Sequence, residues 1–403
     1  MATAFQAQKI TDDIYWVGAI DWGLRDFHGY ATNRGTTYNA YLILSDKITL
    51  IDAVKAPFKN EMLARIQSLI EPEKIKFIIS NHSEMDHSGC LVEAIEYIKP
   101  EKVFASQMGV KALSEHFHHK QNIIAVKDNE TVSLGNITLK FMETRMLHWP
   151  DSMFTYIPEK EILFSQDAFG MHLASTKRFD DELDWNVLRY ELAKYFANIL
   201  LPYTNFIEKL FQKVSSSNMK FKMVLPDHGP VWRKNFDKVF ALYEKWSKHL
   251  PYRKAVITFD TMWGSTSKMA CAIADGISSK GIDVKVMPLS SSHRSDVATE
   301  ILDAGALIVG SPTINNNIFP TVADCLTYLK GLRRQNLIGA SFGSFGWGGE
   351  AVKHLNEMLT GMGIELVGEG LKCKYVPDDS ELAKCNEFGI AITDKLAVKC
   401  GNN

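Results

Sequence analysis

A dense run of polar side chains follows one of the strongly apolar segments of the chain. His82, Glu84, Asp86 and His87 lie within six residues, directly after the apolar segment 76–81. Imidazole and carboxylate groups both bind metal ions, and four of them packed this densely make a plain polar turn the weaker interpretation. The run therefore predicts a metal site where a buried strand ends in a loop.

Three further candidate ligands stand alone in the sequence. They are His148, Asp167 and His228, and each comes just after a short apolar stretch. A single His or Asp is more often an ordinary core or surface residue than a ligand. If these stretches are strands that converge on one sheet edge, however, their side chains meet the run at 82–87. The seven side chains are together sufficient for two metal ions.

The ligand types indicate which metal the site would prefer. The set contains four His, three carboxylates and no Cys. Imidazole suits zinc, copper, iron and nickel, whereas the harder carboxylate oxygen favours iron or manganese. Asp167 could bridge two ions, because a carboxylate has two oxygens. Two adjacent ions with open positions can hold a diatomic molecule and pass it electrons, which zinc cannot do because it has no redox chemistry.

A second chemical unit is predicted in the C-terminal part of the chain. A strand at 254–259 runs into a turn, and a helical pattern follows from Lys268 to Ile277. Backbone amides, hydroxyls and the positive end of a helix together form a phosphate cradle. No P-loop Lys is present, and an ordinary strand-to-helix turn explains this motif equally well. The candidate residues are Thr261, Met262, Trp263, Gly264, Ser265 and Thr266.

Two further loops strengthen the prediction of a ligand crevice. One follows a strand at 306–310 and is rich in hydrogen-bonding groups, and the other follows a strand at 337–342 and is rich in glycine. Glycine permits close backbone approach to a flat ligand, and loops at the carboxyl ends of neighbouring parallel strands line such a crevice. The candidates are Pro312, Thr313, Ile314, Asn315, Asn316 and Asn317 in one loop, and Ser344, Phe345, Gly346, Trp347, Gly348 and Gly349 in the other.

The two motif sets resemble one protein family. H-x-E-x-D-H followed by His, Asp and His, with 60, 18 and 60 residues between them, resembles the diiron site of the flavodiiron proteins. Hydrolytic zinc members of the same superfamily have H-x-H-x-D-H, whereas this chain has Glu84 at the second His. The resemblance implies an α/β fold with an N-terminal metallo-β-lactamase-like αββα sandwich. A C-terminal flavodoxin-like doubly wound parallel sheet follows, and its three loops imply FMN.

The resemblance also implies roles for individual residues. One iron would be held by His82, Glu84 and His148, the other by Asp86, His87 and His228, with Asp167 bridging. His172 and Tyr195 would hydrogen-bond a reduced oxygen or nitrogen species, although a buried Tyr in the core is the plainer alternative. His28 either lines the pocket or packs a loop, and the role of Trp263 is open. The His-rich tract at 116–120 is expected on an exposed helix end, without ligands.

Length and composition fit two domains. A chain of 403 residues is too long for one core, and a charged stretch at 244–254 contains Pro251 just ahead of the predicted strand at 254–259. We therefore predict a diiron domain over 1–250 and an FMN domain over 251–403. Strands are expected at 14–18, 37–44 and 49–52 near the start of the first domain.

Charge and cysteine usage limit the partners and the compartment. A net charge of -2 gives no reason to expect nucleic acid or an anionic membrane as a partner. The chain has neither an apolar run of membrane-spanning length nor a signal-peptide pattern, so a cytoplasmic location is expected. The six cysteines are scattered without a C-x-x-C pair and are expected to be free thiols. A rubredoxin module would need such pairs, so electrons should come from a separate carrier such as rubredoxin.

The resemblance to the flavodiiron proteins implies an oxidoreductase that reduces O2 to water, NO to N2O, or both. FMN would relay the electrons, and the family implies a head-to-tail homodimer or a dimer of dimers in which Trp347 faces the partner's irons. O2 is preferred, because 145–153 and 342–350 resemble rubredoxin:oxygen oxidoreductases. Two alternatives remain: a zinc hydrolase with an attached flavodoxin domain, against which Glu84 argues, and a flavin electron carrier with a structural metal domain.

Overall fold

The computed structural model describes residues 4–217 and 219–401. The chain divides into two compact units. The first comprises Met1–His28, Thr32–Tyr195 and Tyr203–Glu244, and the second comprises Gly29–Ala31, Phe196–Pro202 and Lys245–Asn403. The domain boundary between residues 250 and 251 stays a prediction.

The strands are named in chain order. Those before residue 244 are β1 (Gln8–Lys9), β2 (Ile14–Trp16), β3 (Ala19–Asp21), β4 (Asp26–Phe27), β5 (Tyr30–Ala31), β6 (Thr36–Tyr38), β7 (Tyr41–Ile43), β8 (Thr49–Ile51), β9 (Phe77–Ser80), β10 (Lys102–Ser106), β11 (Ile123–Val126), β12 (Thr131–Ser133), β13 (Thr138–Glu143), β14 (Met153–Ile157), β15 (Ile162–Gln166) and β16 (Met223–Pro226). The later strands are β17 (Lys254–Phe259), β18 (Asp283–Pro288), β19 (Ala306–Gly310), β20 (Ile338–Phe345), β21 (Glu365–Leu366) and β22 (Leu371–Lys374).

The α-helices are named in the same way. They are α1 (Lys59–Gln67), α2 (Met85–Ser88), α3 (Leu91–Ile98), α4 (Gln107–Phe117), α5 (Trp185–Tyr195), α6 (Thr204–Ser216), α7 (Phe236–Ser247), α8 (Ser265–Ser278), α9 (Arg294–Leu302), α10 (Pro320–Leu332), α11 (Ala351–Gly361) and α12 (Asp379–Cys400). A π-helix spans Phe196–Leu200, and short 3-10 turns span Ala56–Phe58, Pro72–Lys74, Pro158–Lys160, Asp180–Glu182 and Leu201–Tyr203.

Two large sheets form the centre of the first unit. The larger has the order β1-β2-β7-β8-β9-β10-β11, and the smaller has the order β12-β13-β14-β15-β16. Side chains from both sheets, among them Ile79 and Phe164, pack into one shared core. The opposite face of the larger sheet, with Leu42 and Leu50, packs against α1, α3 and α4. Alternate residues of β7 therefore enter different cores, which explains why this strand is apolar without interruption.

A second layer of helices covers the outer face of the smaller sheet. Phe154 of β14 has its ring 6.4 Å from that of Phe169, which in turn lies 4.8 Å from the ring of Tyr243 in α7. Phe211 of α6 packs on Phe240 of α7 with ring centroids 4.2 Å apart. The first unit is thus an αββα sandwich, and this part of the fold prediction is confirmed.

The strand predicted at 37–44 divides into β6 and β7. The interruption has a physical cause at Asn39, whose backbone N–H donates to Asp227 O and whose side-chain Nδ2 donates to Pro226 O. These bonds turn the chain away from a continuous ladder, so β6 pairs with β3 whereas β7 pairs with β2 and β8. The strand predicted at 14–18 also ends early, at Trp16.

The second unit contains a parallel sheet with the order β18-β17-β19-β20-β21, and β22 also pairs with β20. One face of this sheet packs on α8 and α12 through residues that include Ile257, Ile273 and Ile392. α9 contacts β17, and α11 contacts β20. The predicted flavodoxin-like sheet is confirmed. β17 matches the predicted strand, whereas β20 runs to Phe345 and so takes in the start of the predicted third loop.

None of the helices within the described ranges is both long enough and apolar enough to cross a membrane.

Candidate metal centre and flavin pocket

The predicted metal ligands come from both sheets of the sandwich. His82 and Glu84 lie in the loop after β9, and Asp86 and His87 lie in the short helix α2 that follows. Asp167 follows β15, and His228 follows the neighbouring parallel strand β16. His148 lies in the loop that follows β13 and leads into antiparallel β14. Since β14 is also antiparallel to β15, β13 and β15 run in the same direction, and His148, Asp167 and His228 lie at one edge of the smaller sheet.

Four of these residues converge on one point, and we call them the first cluster: His82, Glu84, His148 and Asp167. His82 Nε2 lies 3.3 Å from Glu84 Oε2 and 3.3 Å from Asp167 Oδ2. His148 Nε2 lies 3.1 Å from the same Glu84 oxygen and 3.2 Å from Asp167 Oδ2. Two imidazole nitrogens and two carboxylate oxygens thus face one another, as ligands of a single ion would.

Asp86, His87 and His228 form the second cluster. His228 Nε2 lies 3.2 Å from Asp86 Oδ2 and 3.4 Å from Asp167 Oδ1. His87 Nε2 lies 3.1 Å from the same Asp167 oxygen. Asp167 therefore presents Oδ2 to the first cluster and Oδ1 to the second, which is the arrangement that a bridging carboxylate needs.

The residues present fit a pair of metal cations. All seven are buried, with at most 8% of each residue exposed. Both oxygens of Asp86 and Oδ2 of Asp167 lack a well-aligned hydrogen-bond donor among the described residues, and the nitrogens nearest to them belong to other predicted ligands. A buried carboxylate without a donor is costly, and a cation between the clusters would offset that cost. The donor set has no thiolate, so it favours iron or manganese over a metal that prefers sulfur.

The protonation of the two clusters follows from the close approach of their imidazole and carboxylate groups. Burial raises the pKa of Asp167, but the imidazoles of His87 and His148 outweigh burial and hold that pKa well below its usual range. Burial lowers the pKa of His148, but the carboxylates of Asp167 and Glu84 raise it to about 9. Imidazolium and carboxylate groups thus stabilise one another. A metal ion would take the place of these protons, because imidazole binds metal in its neutral form.

The outer nitrogens of the histidines have defined neighbours. His228 Nδ1 lies 2.6 Å from Thr37 O, and His82 Nδ1 lies 3.3 Å from Asp151 Oδ2. Each contact leaves Nε2 as the nitrogen that faces the clusters. The sequence analysis missed both Asp151 and Thr37. The one available signal for Asp151 was its position three residues after His148 in the same loop.

The neighbours predicted by resemblance lie beside the second cluster. His172 has its ring 4.7 Å from that of His228, and its Nδ1 lies 2.9 Å from Thr36 Oγ1. The ring of Tyr195 lies 5.2 Å from that of His172 and 6.1 Å from that of His228. Burial lowers the pKa of His172 well below its usual range and raises the pKa of Tyr195 well above its own. Both side chains are therefore neutral.

Two other histidine regions lie outside the predicted ligand set. The sequence analysis left the role of His28 open and expected no ligands in the tract at 116–120. His28 Nε2 lies 3.2 Å from Glu84 Oε1, so this residue contacts a predicted ligand. The tract at 116–120 begins on the last turn of α4, which ends at Phe117, and His116 and His118 are exposed. The expectation of an exposed helix end is confirmed.

The three predicted flavin loops enclose a cavity of about 560 Å³ in the second unit. Most of its lining was predicted, but Tyr375 was missed. It directly follows β22, a strand with no polar turn pattern to announce a site. The lining residues are Met262, Trp263, Ser265, Pro312, Thr313, Asn315, Asn316, Ser344, Phe345, Gly346, Trp347, Gly348 and Tyr375.

The other predicted residues of these loops lie outside that lining. Thr261 Oγ1 accepts from Gly264 N at 3.0 Å, and Thr266 Oγ1 lies 3.0 Å from Ser344 Oγ. Ile314 and Asn317 exchange backbone hydrogen bonds that close the second loop. The six residues are Thr261, Gly264, Thr266, Ile314, Asn317 and Gly349.

The cavity suits a flat ring attached to a phosphate. Gly264 precedes α8 with φ +87°, a left-handed conformation that brings backbone amides to the start of the helix. Trp263 and Trp347 are 92% and 89% exposed beside the cavity, so their rings are available to stack on a ligand.

Comparison with known proteins identifies a family model for each of the two domains. Residues 36–229 match the ODP family beta lactamase model, and residues 257–389 match the flavodoxin model. The chain is 46% identical over 396 residues to the nitric oxide reductase of Moorella thermoacetica, covering 97% of this chain and 99% of that protein. It is 44% identical over 398 residues to the rubredoxin-oxygen oxidoreductase of Megalodesulfovibrio gigas, covering 98% and 99%.

Solved structures give the same result. The rubredoxin oxygen:oxidoreductase of Desulfovibrio gigas superposes with a TM-score of 0.95 at 44% identity, covering 98% of this chain and 99% of that one. The flavodiiron protein of Giardia intestinalis superposes with a TM-score of 0.95 at 34% identity, covering 99% of each chain. The predicted fold class and the predicted oxidoreductase class are confirmed. This chain belongs to the flavodiiron protein family.

Proposed function

We propose that this flavodiiron oxidoreductase reduces O2 to water, NO to N2O, or both at a diiron centre, with electrons relayed by FMN. The observation that carries the proposal is the position of Asp167, whose two carboxylate oxygens face two separate clusters of buried ligands. The same chain contains a flavodoxin domain with a cavity at the ends of its strands.

The metal proposal assigns each ligand to one iron. His82, Glu84 and His148 would hold one iron, and Asp86, His87 and His228 the other, with Asp167 between them. Bound iron would supply the redox chemistry that gas reduction needs and that zinc lacks. Asp86 has no well-aligned hydrogen-bond donor among the described residues and its Oδ2 lies 3.2 Å from His228 Nε2, which supports its assignment as a ligand. The contact between His28 and Glu84 Oε1 leaves Oε2 to face the first cluster.

The neutral side chains beside the second cluster have a proposed part in handling the substrate. The phenol of Tyr195 keeps its proton, because burial and the nearby carboxylates raise its pKa. It can therefore donate a hydrogen bond to a reduced oxygen or nitrogen species. His172 is uncharged, so it adds no positive charge beside the second cluster. Both residues would orient the species without changing the net charge of the site.

The flavin proposal divides the loops by their chemistry. Residues 261–266 would hold the FMN phosphate, because they combine hydroxyl groups with the start of α8. Residues 312–317 and 344–349 would hold the ring, with Trp263, Trp347 and Tyr375 at the border of the cavity. Glycine at 346 and 348 leaves room for a flat ligand against the backbone.

The electron donor, the assembly and the substrate preference are finer proposals. We propose rubredoxin or a similar small carrier as the donor, as the name of the Megalodesulfovibrio gigas relative supports. We also propose a head-to-tail homodimer or a dimer of dimers in which Trp347 faces the partner's irons. The names of the two relatives quoted above divide between NO and O2. The preference for O2 accordingly stays a prediction.

A coupled assay tests this function. Anaerobic protein would be supplied with NADH, a rubredoxin reductase and rubredoxin, and the consumption of O2 and of NO would be measured separately with the same donor. We expect consumption of at least one gas, and none with an Asp167→Ala variant. A protein that contains iron and FMN and accepts electrons but consumes neither gas would instead be an electron carrier. Esterase activity with stoichiometric zinc would identify a hydrolase.

A further inference from the structure

We propose that Asp151 is a positioning residue that holds the ring of His82 with Nε2 directed at the first cluster. The inference rests on the proposed metal centre. Asp151 is only 3% exposed, and its Oδ2 lies 3.3 Å from His82 Nδ1. If Nδ1 carries the proton and donates it to this carboxylate, Nε2 keeps the lone pair that a metal needs.

The same carboxylate oxygen also fixes the backbone next to His82. Asp151 Oδ2 accepts a hydrogen bond from Ser83 N at 2.6 Å. Both the ring of His82 and the peptide that follows it are therefore held by one group. A ring held at two neighbouring points loses less rotational freedom when it binds a metal ion.

Asp151 is itself held in place from the other side. Its carbonyl oxygen accepts from Ser106 Oγ at 2.6 Å, and Ser106 Oγ also accepts from Gly109 N at 2.9 Å as the N-cap of α4. The position of the carboxylate is thus set by the start of a helix rather than by a mobile surface loop.

The loop that carries Asp151 also carries His148, a ligand of the first cluster. Gln166 connects this loop to the bridging residue, because its Nε2 donates to Leu147 O and its Oε1 accepts from Asp167 N at 2.6 Å. One loop therefore supplies a ligand, orients a second ligand and is tied to a third. All three belong to the first cluster.

In the second cluster, neither histidine has a carboxylate of the described residues within hydrogen-bond distance of its outer nitrogen. His228 Nδ1 meets the neutral carbonyl of Thr37. His87 Nδ1 lies 3.6 Å from Asp227 Oδ2, which is beyond hydrogen-bond distance. A change at Asp151 should therefore weaken one metal position and spare the other.

Iron binding to the full-length protein tests the inference. Apo-protein would be prepared by chelation and titrated anaerobically with iron(II), comparing wild type with Asp151→Ala and Asp151→Asn. We expect two binding steps in wild type, and in Asp151→Ala a loss of about 10- to 100-fold in the affinity of one step alone. Asp151→Asn keeps a neutral hydrogen-bond acceptor for Ser83 N, so its loss of iron affinity should be smaller than that of Asp151→Ala. His148→Ala, which removes a ligand of the first cluster, identifies the affected step.

A matched control separates orientation from general damage. Asp128→Asn removes an equal charge from an exposed residue that pairs with Lys213, and it should leave both steps unchanged. A lower melting temperature for Asp151→Ala with the ratio of the two affinities unchanged would overturn the inference, as would equal weakening of both steps. Should Asp151→Ala fail to fold, Asp151→Asn decides by the same ratio. Wild type that binds no iron pair would instead overturn the proposed function.

Discussion

The metal centre and the flavin pocket are built from different kinds of chemical group. The metal centre consists of seven side chains that are at most 8% exposed, and its geometry is defined by their nitrogen and oxygen atoms. The flavin pocket consists of loops at strand ends, and two of its aromatic residues are about 90% exposed. Buried charges make each metal ligand hard to replace, whereas the pocket distributes recognition over backbone groups, hydroxyls and rings.

The contrast predicts that the two sites respond differently to single substitutions. Loss of one metal ligand leaves other buried charged groups without a partner, so its effect should be large and should affect bound metal. Loss of one flavin contact should change affinity by a modest factor. A substitution in one site should leave the binding of the other site's cofactor unchanged.

The largest effect is expected for Asp167→Ala. This substitution removes the one ligand that faces both clusters, so gas reduction should fall by more than about 100-fold, since loss of a ligand should exceed the effect of losing an outer partner. Iron content should drop while FMN content stays at the wild-type level. Metal analysis and flavin absorbance of the same sample measure both. Loss of flavin together with iron would contradict the independence of the sites.

A similar loss with a different metal is expected for Glu84→His. A third imidazole in the first cluster replaces a hard oxygen ligand and favours zinc. Gas reduction should disappear and flavin should remain bound. Full iron occupancy and full activity in this variant would show that Glu84 is not a ligand.

A smaller effect is expected in the flavin pocket for Gly264→Ala. Gly264 has φ +87° and no atom within 4 Å of an added Cβ, so the substitution introduces backbone strain without a clash. Strain of about 1–2 kcal/mol should displace the turn and weaken FMN binding by about 5- to 30-fold. Iron content should not change.

Gly281→Ala provides the matched control for that experiment. Gly281 has φ +72° and equally open surroundings, but it lies between α8 and β18, outside the cavity lining. It should lower stability to a similar extent and leave FMN affinity as in wild type. Equal weakening of FMN binding by both substitutions would mean that strain acts through overall stability.

The smallest effect on flavin binding is expected from removing the metal domain altogether. A fragment of residues 253–403 contains the whole parallel sheet and all three loops, so it should fold and bind FMN. It lacks 29–31 and 196–202, which belong to the same compact unit, and should melt at a lower temperature. It should accept electrons and reduce neither gas. A folded fragment without FMN affinity would count against the pocket.

The same contrast explains what the sequence could predict. The run from His82 to His87 announces a metal site because ligand types and spacing are visible in the chain. The flavin loops follow from strand and turn patterns, and β17 and β19 occur at the predicted positions. His148 follows β13, but the short apolar stretch directly before it, at 146–147, belongs to the loop, since such a stretch does not by itself identify a strand.

The residues that contact the ligands from outside the two clusters could not be predicted from the sequence. Asp151 contacts His82 from 69 residues away, and Thr37 contacts His228 from 191 residues away. Such contacts depend on how two sheets face each other, which no local pattern records. The division of the strand predicted at 37–44 has the same origin, because Asn39 bonds to residues near 226–229. The sequence therefore predicts the ligand residues from their types and spacing. The distant residues that contact and orient those ligands can be identified only once the fold is known.

Metal and flavin analysis of one pure sample of the wild-type protein tests the central claim most directly. Two clusters joined by the Asp167 carboxylate, and the cavity lined by the three flavin loops, predict two irons and one FMN per chain. The iron should be lost on chelation while the flavin stays bound. Stoichiometric zinc in place of iron, or the absence of flavin from folded protein, would contradict the account.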